Sequence, residues 1–158
     1  MTNLVEGEKM FDFDTALTVI SVAFAGIELY RTRKTQVKKL EREKQKDTLE
    51  SFNKLQSQVF DELNKYSKSD FVEIAKAPRE KDYKGKTVLI ARCEHFAVGI
   101  KREIYDFETF RELGGKHFYY LFEKVLPIIE KARKISNDEN LYSAFEELYI
   151  KLKPYYER

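Results

Sequence analysis

The sequence predicts an all-α fold, and three observations support this prediction. The 158 residues include only six glycines and three prolines, so residues that interrupt helices are scarce. In the long segments, apolar residues recur every three or four positions rather than every second one, which is the period of a helix. Residues 15–27 carry no charged side chain in a chain that is 35% charged, which indicates an unusual N-terminal helix.

Opposite charges flank this apolar segment. Residues 1–30 carry a net charge of −4, and residues 31–46 carry a net charge of +6. An apolar helix followed by basic residues is typical of a membrane-associated helix whose basic end lies in the cytoplasm. We therefore expect the N-terminal helix at the bacterial inner membrane and the remainder of the chain in the cytoplasm.

The length of the apolar segment leaves its placement open. Thirteen helical residues cover about 20 Å, whereas the hydrocarbon core of a bilayer is about 30 Å thick. Residues 11–30 are long enough, but they include Asp12, Asp14 and Glu28. A span shielded by further copies of itself, a helix at the membrane interface and a buried helix of a soluble protein are the alternatives. The acidic residues ahead of the segment argue against a secretory signal peptide, whose first part is basic.

Helical phase predicts a polar side on the N-terminal helix. Side chains at spacings of four and three residues share one side, and those that we predict to line a pore are Asp14, Thr18, Ser21 and Glu28. Gly26 is small enough to permit close contact between two helices. An ionisable side chain such as Glu28 is costly against lipid, so it should face water or a partner. A ring of copies meets this requirement, whereas a soluble helix with a solvated polar side is the simpler alternative.

The charge of the rest of the chain is balanced. Residues 47–158 carry equal numbers of basic and acidic side chains, which argues against a broad electrostatic interface with nucleic acid. The basic residues 31–46 are better placed to contact anionic lipid, at about 1 kcal/mol per Lys or Arg near the surface. Cys93 is the only cysteine, which excludes an internal disulfide and a cysteine-rich zinc site and fits a reducing compartment.

We predict three parts in the chain: a membrane-associated helix at residues 1–30, a charged helical connector at residues 31–47 and a helical bundle at residues 48–158. The connector is rich in helix-forming residues and is expected to continue the first helix. A packed helix is predicted over residues 49–66, because their apolar side chains follow a three- and four-residue spacing. Those side chains are Leu49, Phe52, Leu55, Val59, Phe60, Leu63 and Tyr66.

The next segments alternate between polar and amphipathic patterns. A capping box formed by Ser67 and Asp70 predicts a short helix that ends at Ala75. Proline and polar residues at positions 78–86 predict a loop. Residues 87–105 predict a helix that buries Val88, Leu89, Phe96, Ala97, Ile100 and Ile104.

The C-terminal third predicts three more helices. Asp106 is expected to cap a short helix, which Gly114 and Gly115 should end. A long aromatic helix is expected over residues 116–135, with a bend at Pro127. After a turn, residues 141–152 are expected to form the last helix.

Few residues of this chain suggest chemistry. The two histidines are His95 and His117, so imidazole chemistry depends on one of them. His95 is expected to be a surface or hydrogen-bonded residue rather than a base. The glutamates of the central region lack metal-ligand spacing with histidine, so we expect neither a metal centre nor another cofactor.

Arg111 and His117 are separated by the five residues ELGGK. This pattern resembles the signature of the HEPN superfamily, which consists of helical bundles that include many dimeric ribonucleases. In that family the arginine stabilises charge on the scissile phosphate and the histidine transfers a proton, without a metal ion. The resemblance implies that Arg111 and His117 are catalytic. The alternative is structural: Arg111 pairs with a nearby glutamate, and His117 opens the next helix.

The combined architecture of a membrane-type helix, a charged connector and a HEPN-like bundle resembles the small accessory membrane proteins of type VI-B CRISPR systems. The resemblance implies a ring-like homo-oligomer that permeabilises or depolarises the membrane after an RNA-guided effector has detected phage RNA. The bundle would then sense RNA or pack subunits. A membrane-anchored ribonuclease and a membrane-anchored scaffold are the alternatives. The chain also resembles uncharacterised membrane-anchored helical domains of mobile elements.

Overall fold

The computed structural model describes the backbone of residues 13–157 and the side chains of residues 21–157. All regular secondary structure in this part of the chain is helical, which confirms the predicted all-α fold. The chain divides into two compact units, Met1–Glu41 and Arg42–Arg158. We call the second unit the bundle. The division into three parts at residues 30 and 47 stays a prediction.

Seven α-helices and two π-helical turns make up the described part of the chain. In order, they are α1 (Phe13–Leu55), a first π turn (Gln56–Phe60), α2 (Asp61–Leu63), α3 (Lys68–Lys76), α4 (Lys81–Lys101), α5 (Phe107–Phe110), a second π turn (Arg111–Gly115), α6 (Lys116–Ser136) and α7 (Ser143–Tyr156). The first of them is a single helix of 43 residues, so the apolar segment and the basic residues after it share one continuous helix, as expected.

The core of the bundle is aromatic. Phe118 of α6 has no solvent exposure, and its ring lies 4.6–6.1 Å, between centroids, from the rings of Phe60, Phe96, Phe110 and Phe145. The ring planes are tilted or perpendicular, as aromatic quadrupoles favour, and each such pair contributes about 0.5–1.5 kcal/mol beyond area burial. These rings come from the first π turn, α4, α5 and α7. Phe118 therefore joins four other elements of the bundle.

Two glycines of the second π turn allow close packing around them. A Cβ atom at Gly114 would overlap the ring of Phe52, near the end of α1. A Cβ atom at Gly115 would lie 2.9 Å from the hydroxyl of Tyr156 and 3.1 Å from Leu152, both on α7. Glycine at these positions lets α1 and α7 approach the turn within van der Waals distance.

The prediction that Gly114 and Gly115 end a helix is wrong. Both have α-helical or near-helical neighbours, and the backbone continues through the second π turn into α6. A glycine inside a helix costs about 1 kcal/mol relative to alanine. Here the packing of Phe52 and α7 against the bare backbone outweighs that cost, which the local sequence does not reveal.

The predicted loop at residues 78–86 is also wrong in its second half, because α4 begins at Lys81. Tyr83, Lys86 and Ile90 follow a three- and four-residue spacing and all face the core. The Lys86 side chain is buried, and its Nζ donates to Oε1 of Glu62 at 3.1 Å and lies 3.8 Å from the ring centroid of Tyr66. A buried ammonium group is tolerated only with such partners. The polar sequence of residues 78–86 does not indicate that Glu62 and Tyr66 lie close to Lys86.

Several predicted core positions are exposed. Phe96, Ala97 and Ile100 are buried as predicted, and so are Phe52, Leu55, Val59, Phe60 and Leu63. In contrast, Val88 and Ile104 are each 57% exposed, and Leu49 is 40% exposed. The buried face of α4 begins earlier, at Tyr83, Lys86, Ile90 and Cys93, and continues to Ala97 and Ile100. Val88 lies on the opposite side of this helix, and Ile104 lies beyond its end at Lys101.

The predicted helix caps are confirmed. The Asp70 backbone N–H donates to Oγ of Ser67 at 3.2 Å, and the Ser67 N–H donates to Oδ2 of Asp70 at 2.7 Å, which completes the capping box. Asp106 accepts from the N–H and the hydroxyl of Thr109. The Asp106 N–H itself donates to the hydroxyl of Thr48 at 2.7 Å. Thr48 is fully buried, so this bond fastens the start of α5 to α1 inside the bundle.

The last helix begins and ends later than predicted. α7 covers Ser143–Tyr156 and includes Pro154 in its last turn. Its first turn is capped by Glu94 of α4, whose carboxylate accepts from the N–H groups of Ala144 at 3.1 Å and Phe145 at 2.7 Å. A carboxylate at a helix N-terminus satisfies free donors and the positive end of the helix dipole. The start of α7 is therefore set by a residue about 50 positions earlier.

Substitution of Gly114 by alanine tests the packing of the second π turn. We expect Gly114→Ala to lower the free energy of unfolding by about 1–3 kcal/mol, because the added methyl group displaces Phe52. Gly85→Ala is the matched control: Gly85 lies inside α4 with no atom near its missing Cβ, so alanine should raise stability by up to about 1 kcal/mol. Urea unfolding followed by circular dichroism measures both. Equal effects of the two substitutions would contradict this packing.

The cap at Asp106 makes stability depend on pH. Hydrogen bonds from Thr109 hold the pKa of the Asp106 carboxyl group below its usual value. Because the folded pKa is depressed, the cap contributes fully above the unfolded pKa of about 4 and is lost as the pH falls through the folded pKa. We expect Asp106→Ala to cost about 1 kcal/mol at pH 7 and less at pH 3, by urea unfolding at both pH values. A difference that is constant with pH would show that the carboxylate does not act as the cap.

Candidate functional site

The apolar side chains that are described in the first unit are exposed. Every side chain from Ser21 to Glu41 is exposed. The large apolar ones are 48–67% exposed, and they are Val22, Phe24, Ile27, Leu29, Tyr30, Val37 and Leu40. Contiguous exposed apolar surface on a soluble protein indicates a contact with a partner or a membrane.

Two faces of this part of α1 carry the apolar residues. One face, which we call the apolar stripe, contains Val22, Leu29, Val37 and Leu40, with Gly26 and Arg33 between them. From Val22 to Leu40 the stripe covers five helical turns at 3.6 residues per turn, so it runs parallel to the helix axis. The stripe therefore offers a straight surface of about 27 Å to a neighbouring helix.

The second face changes from apolar to basic. Phe24, Ile27, Arg31, Lys34 and Lys38 follow each other at spacings of three and four residues, which places them on one side of the helix. The first two side chains are apolar and the last three are cationic. This order suits a boundary between acyl chains and anionic headgroups, because long basic side chains extend toward the polar layer.

The residues predicted to line a pore occupy a third face as far as they are described. Ser21 and Glu28 are seven residues apart on one side of α1, and both are exposed. Asp14 and Thr18 lie in the same helix, but their side chains are outside the described residues. Gly26 lies inside the helix, and no atom lies within 4 Å of the position of its missing Cβ. Pore lining and close packing at Gly26 stay predictions.

In the described part of the chain, we find no helix that combines the length and the apolar character needed to cross a membrane.

The guanidinium group of Arg111 is held by its neighbours. Its Nε donates to Oε2 of Glu108 at 2.9 Å, and a second nitrogen lies 3.6 Å from a carboxylate oxygen of Glu112. The group also lies 4.9 Å from the ring centroid of Tyr155. The bond to Glu108 raises the pKa of Arg111, which is a cation at physiological pH in any case. This is the structural alternative, in which Arg111 pairs with a nearby glutamate.

The two proposed catalytic residues lie in consecutive elements, Arg111 at the start of the second π turn and His117 in α6. His117 is the second residue of α6 and is exposed. None of the described contacts of Arg111 involves His117. Arg111 already forms ion pairs with two carboxylates, which would compete with a phosphate group for the guanidinium group. Catalysis by Arg111 and His117 stays a prediction.

The other residues that were considered for chemistry show no sign of a reactive or metal-binding site in the described part of the chain. Burial raises the pKa of the Cys93 thiol, which keeps it protonated and unreactive. His95 is exposed on α4. Among the described residues, no group of three or more His, Cys, Asp or Glu side chains is placed to hold a metal ion. Sequence analysis missed the role of Glu94 as the cap of α7, and no local signal marks it.

Comparison with protein-family models gives one match. Residues 15–152 match the model described as Domain of unknown function (DUF4760). The match includes the whole apolar segment, residues 15–27, and most of the bundle. No curated protein and no solved structure shows significant similarity to the chain.

Substitution of Arg111 and His117 tests whether they are structural or catalytic. We expect Arg111→Ala to lower the urea midpoint of unfolding, because it removes the contacts to Glu108 and Tyr155. His117→Ala should leave the midpoint unchanged, because the side chain is exposed. We also expect the purified full-length chain to leave a fluorescently labelled single-stranded RNA intact. RNA cleavage that disappears in the double variant would overturn the structural role and establish the ribonuclease alternative.

Proposed function

The chain belongs to the DUF4760 family, and we propose that it is a membrane-associated, self-assembling protein whose N-terminal helix perturbs the bacterial inner membrane in antiphage defence. The bundle lies on the cytoplasmic side in this proposal. The observation that carries it is the exposure of seven large apolar side chains on the first unit, where the net charge changes from −4 in residues 1–30 to +6 in residues 31–46.

The second face of α1 supports contact with lipid. Phe24 and Ile27 would lie among acyl chains, and burial of each side chain stabilises binding by about 1.5–3 kcal/mol. Arg31, Lys34 and Lys38 follow within three turns and would contact lipid phosphate groups. All five side chains of this face are exposed in the part of the unit that the structure describes. The face therefore supports an orientation in which the basic residues remain at the cytoplasmic surface.

The apolar stripe and the polar face support self-association. Glu28 is costly in lipid unless it faces water or a partner, and its face also contains Ser21. A neighbouring copy packed on the apolar stripe, with Gly26 at the contact, would cover apolar surface that lipid or water otherwise contacts. In a ring of such copies, Asp14, Thr18, Ser21 and Glu28 would line a polar path. The ring would then conduct ions or weaken the bilayer.

The trigger in this proposal comes from the resemblance to type VI-B accessory proteins. An RNA-guided effector would detect phage RNA, and the assembled helices would then depolarise the membrane. The bundle would have a divergent HEPN-like fold that senses RNA or packs subunits. Its all-helical architecture is consistent with that fold, and the ion pairs of Arg111 favour a packing role over cleavage. In a scaffold, by contrast, the helix would anchor the bundle without changing the permeability of the membrane.

Vesicle experiments test lipid contact. We expect the full-length chain to co-float with vesicles of phosphatidylcholine and phosphatidylglycerol. The double substitution Phe24→Ser and Ile27→Ser should weaken binding by about tenfold or more, because it removes two apolar anchors. The matched control is Val88→Ser with Ile104→Ser, which changes two equally exposed apolar residues of the bundle. Equal loss in both variants, or no binding by the unaltered chain, would contradict the proposal.

Dye release from the same vesicles separates a pore from a scaffold. We expect the unaltered chain to release dye. Glu28→Ala should change the release while vesicle binding persists, because the substitution removes a charge from the polar path. Glu130→Ala, an exposed glutamate of the bundle, serves as the control. Light scattering in detergent should show an oligomer. A bound but monomeric protein that releases no dye would identify a scaffold.

A further inference from the structure

A surface cleft in the bundle is assigned to none of these roles. It lies between the end of α1 with the first π turn and the middle of α4, and Tyr105 closes one end. Its volume is about 460 Å³, within the range of about 300–1,000 Å³ that is typical of small-molecule sites. We call it the α1–α4 cleft. All residues that line it belong to the bundle, so the cleft does not depend on the first unit.

The charged side chains that line the α1–α4 cleft are cationic. They are Lys54 and Arg92; His95 adds an imidazole ring, and no Asp or Glu is among the lining residues. Residues 47–158 carry equal numbers of acidic and basic side chains, so a cleft with basic groups alone departs from the average of the bundle. The arrangement favours an anionic ligand.

Arg92 is positioned but not neutralised. One of its terminal nitrogens donates to Oε1 of Gln58 at 3.1 Å, a neutral amide on the opposite wall. A guanidinium group has five N–H donors, so further donors remain for a phosphate or carboxylate. Arg111 differs in this respect, because carboxylates of Glu108 and Glu112 already surround it. Arg92 is therefore the better anion ligand of the two.

The aromatic wall of the cleft is set by a glycine. The ring of Tyr105 stacks on that of Phe96, with 5.2 Å between centroids and 19° between planes. It lies directly over Gly99, where a Cβ atom would overlap the ring. The Tyr105 and Ile104 N–H groups both donate to the Gly99 carbonyl, at 3.2 and 2.9 Å. This local turn brings the chain back over α4 and holds Tyr105 beside the basic groups.

We propose that the α1–α4 cleft binds a phosphate ester that carries a planar aromatic ring. Arg92 and Lys54 bind the phosphate, and His95 contributes a further hydrogen bond. The ligand ring lies against Tyr105, where stacking on an aromatic side chain favours any base. Ser51 and Gln58 supply neutral hydrogen-bonding groups on the wall formed by α1 and the first π turn. Free nucleotides and single-stranded RNA both present this chemistry.

Titration calorimetry with the full-length chain tests the cleft, with ATP, tripolyphosphate and a five-nucleotide RNA as probes. We expect ATP to bind. Lys54→Gln with Arg92→Gln should weaken binding of ATP and of tripolyphosphate by about tenfold or more, because both probes need the cations. Tyr105→Leu should weaken ATP binding by about tenfold and leave tripolyphosphate unaffected, whereas Tyr105→Phe should preserve both.

The control is Lys68→Gln with Lys84→Gln, which removes two exposed charges of the bundle outside the cleft and should change nothing. Circular dichroism confirms that each variant is folded. Tighter binding of ATP than of RNA identifies a free nucleotide as the ligand, and the reverse identifies a strand; either result supports the cleft. Absence of binding by all three probes, or equal losses in the cleft and control variants, overturns the proposal. Failure of vesicle binding leaves this test unaffected.

Discussion

The contact between Phe52 and the bare backbone at Gly114 is the constraint on which the bundle depends. Phe52 lies near the end of α1, and its ring also contacts Phe60, Phe96 and Phe110. Gly114 belongs to the π turn that leads into α6. Any side chain at position 114 would move Phe52 out of the aromatic core, because protein interiors are close-packed. One glycine thus couples the end of α1 to the long central helix.

The second π turn also determines which contacts Arg111 makes. Gly115 admits Tyr156 of α7, whose hydroxyl donates to the Arg111 carbonyl at 2.8 Å. The Arg111 side chain then lies among Glu108, Glu112 and Tyr155. Its backbone and side chain are both engaged in holding the end of α7. The basic groups of the α1–α4 cleft have no carboxylate neighbours in its lining, which favours them as ligands for an anion.

The two units differ in the physics that stabilises them. Within the bundle, some charged groups are paired across helices, as with Arg133 and Glu146 at 2.6 Å, and aromatic rings fill the interior. Along α1 from Ser21 to Glu41, apolar and charged side chains alike face outward. A helix in a protein gains most of its stability when its apolar face packs against another surface, so this part of α1 requires a packing partner. In the proposed function, lipid and further copies of the same helix are these packing partners.

Much of this architecture is determined locally and was predictable from sequence. The all-α class follows from helical periodicity, and the caps at Ser67 and Asp106 follow from short-range hydrogen bonds that neighbouring residues make. The continuity of Gly114 and Gly115 with α6, the burial of Lys86 and the capping of α7 by Glu94 were decided only by the tertiary structure. The same holds for the assembly of Lys54, Arg92 and Tyr105 into one cleft. Each of these depends on a partner from a distant part of the sequence, and local propensity carries no information about such a partner.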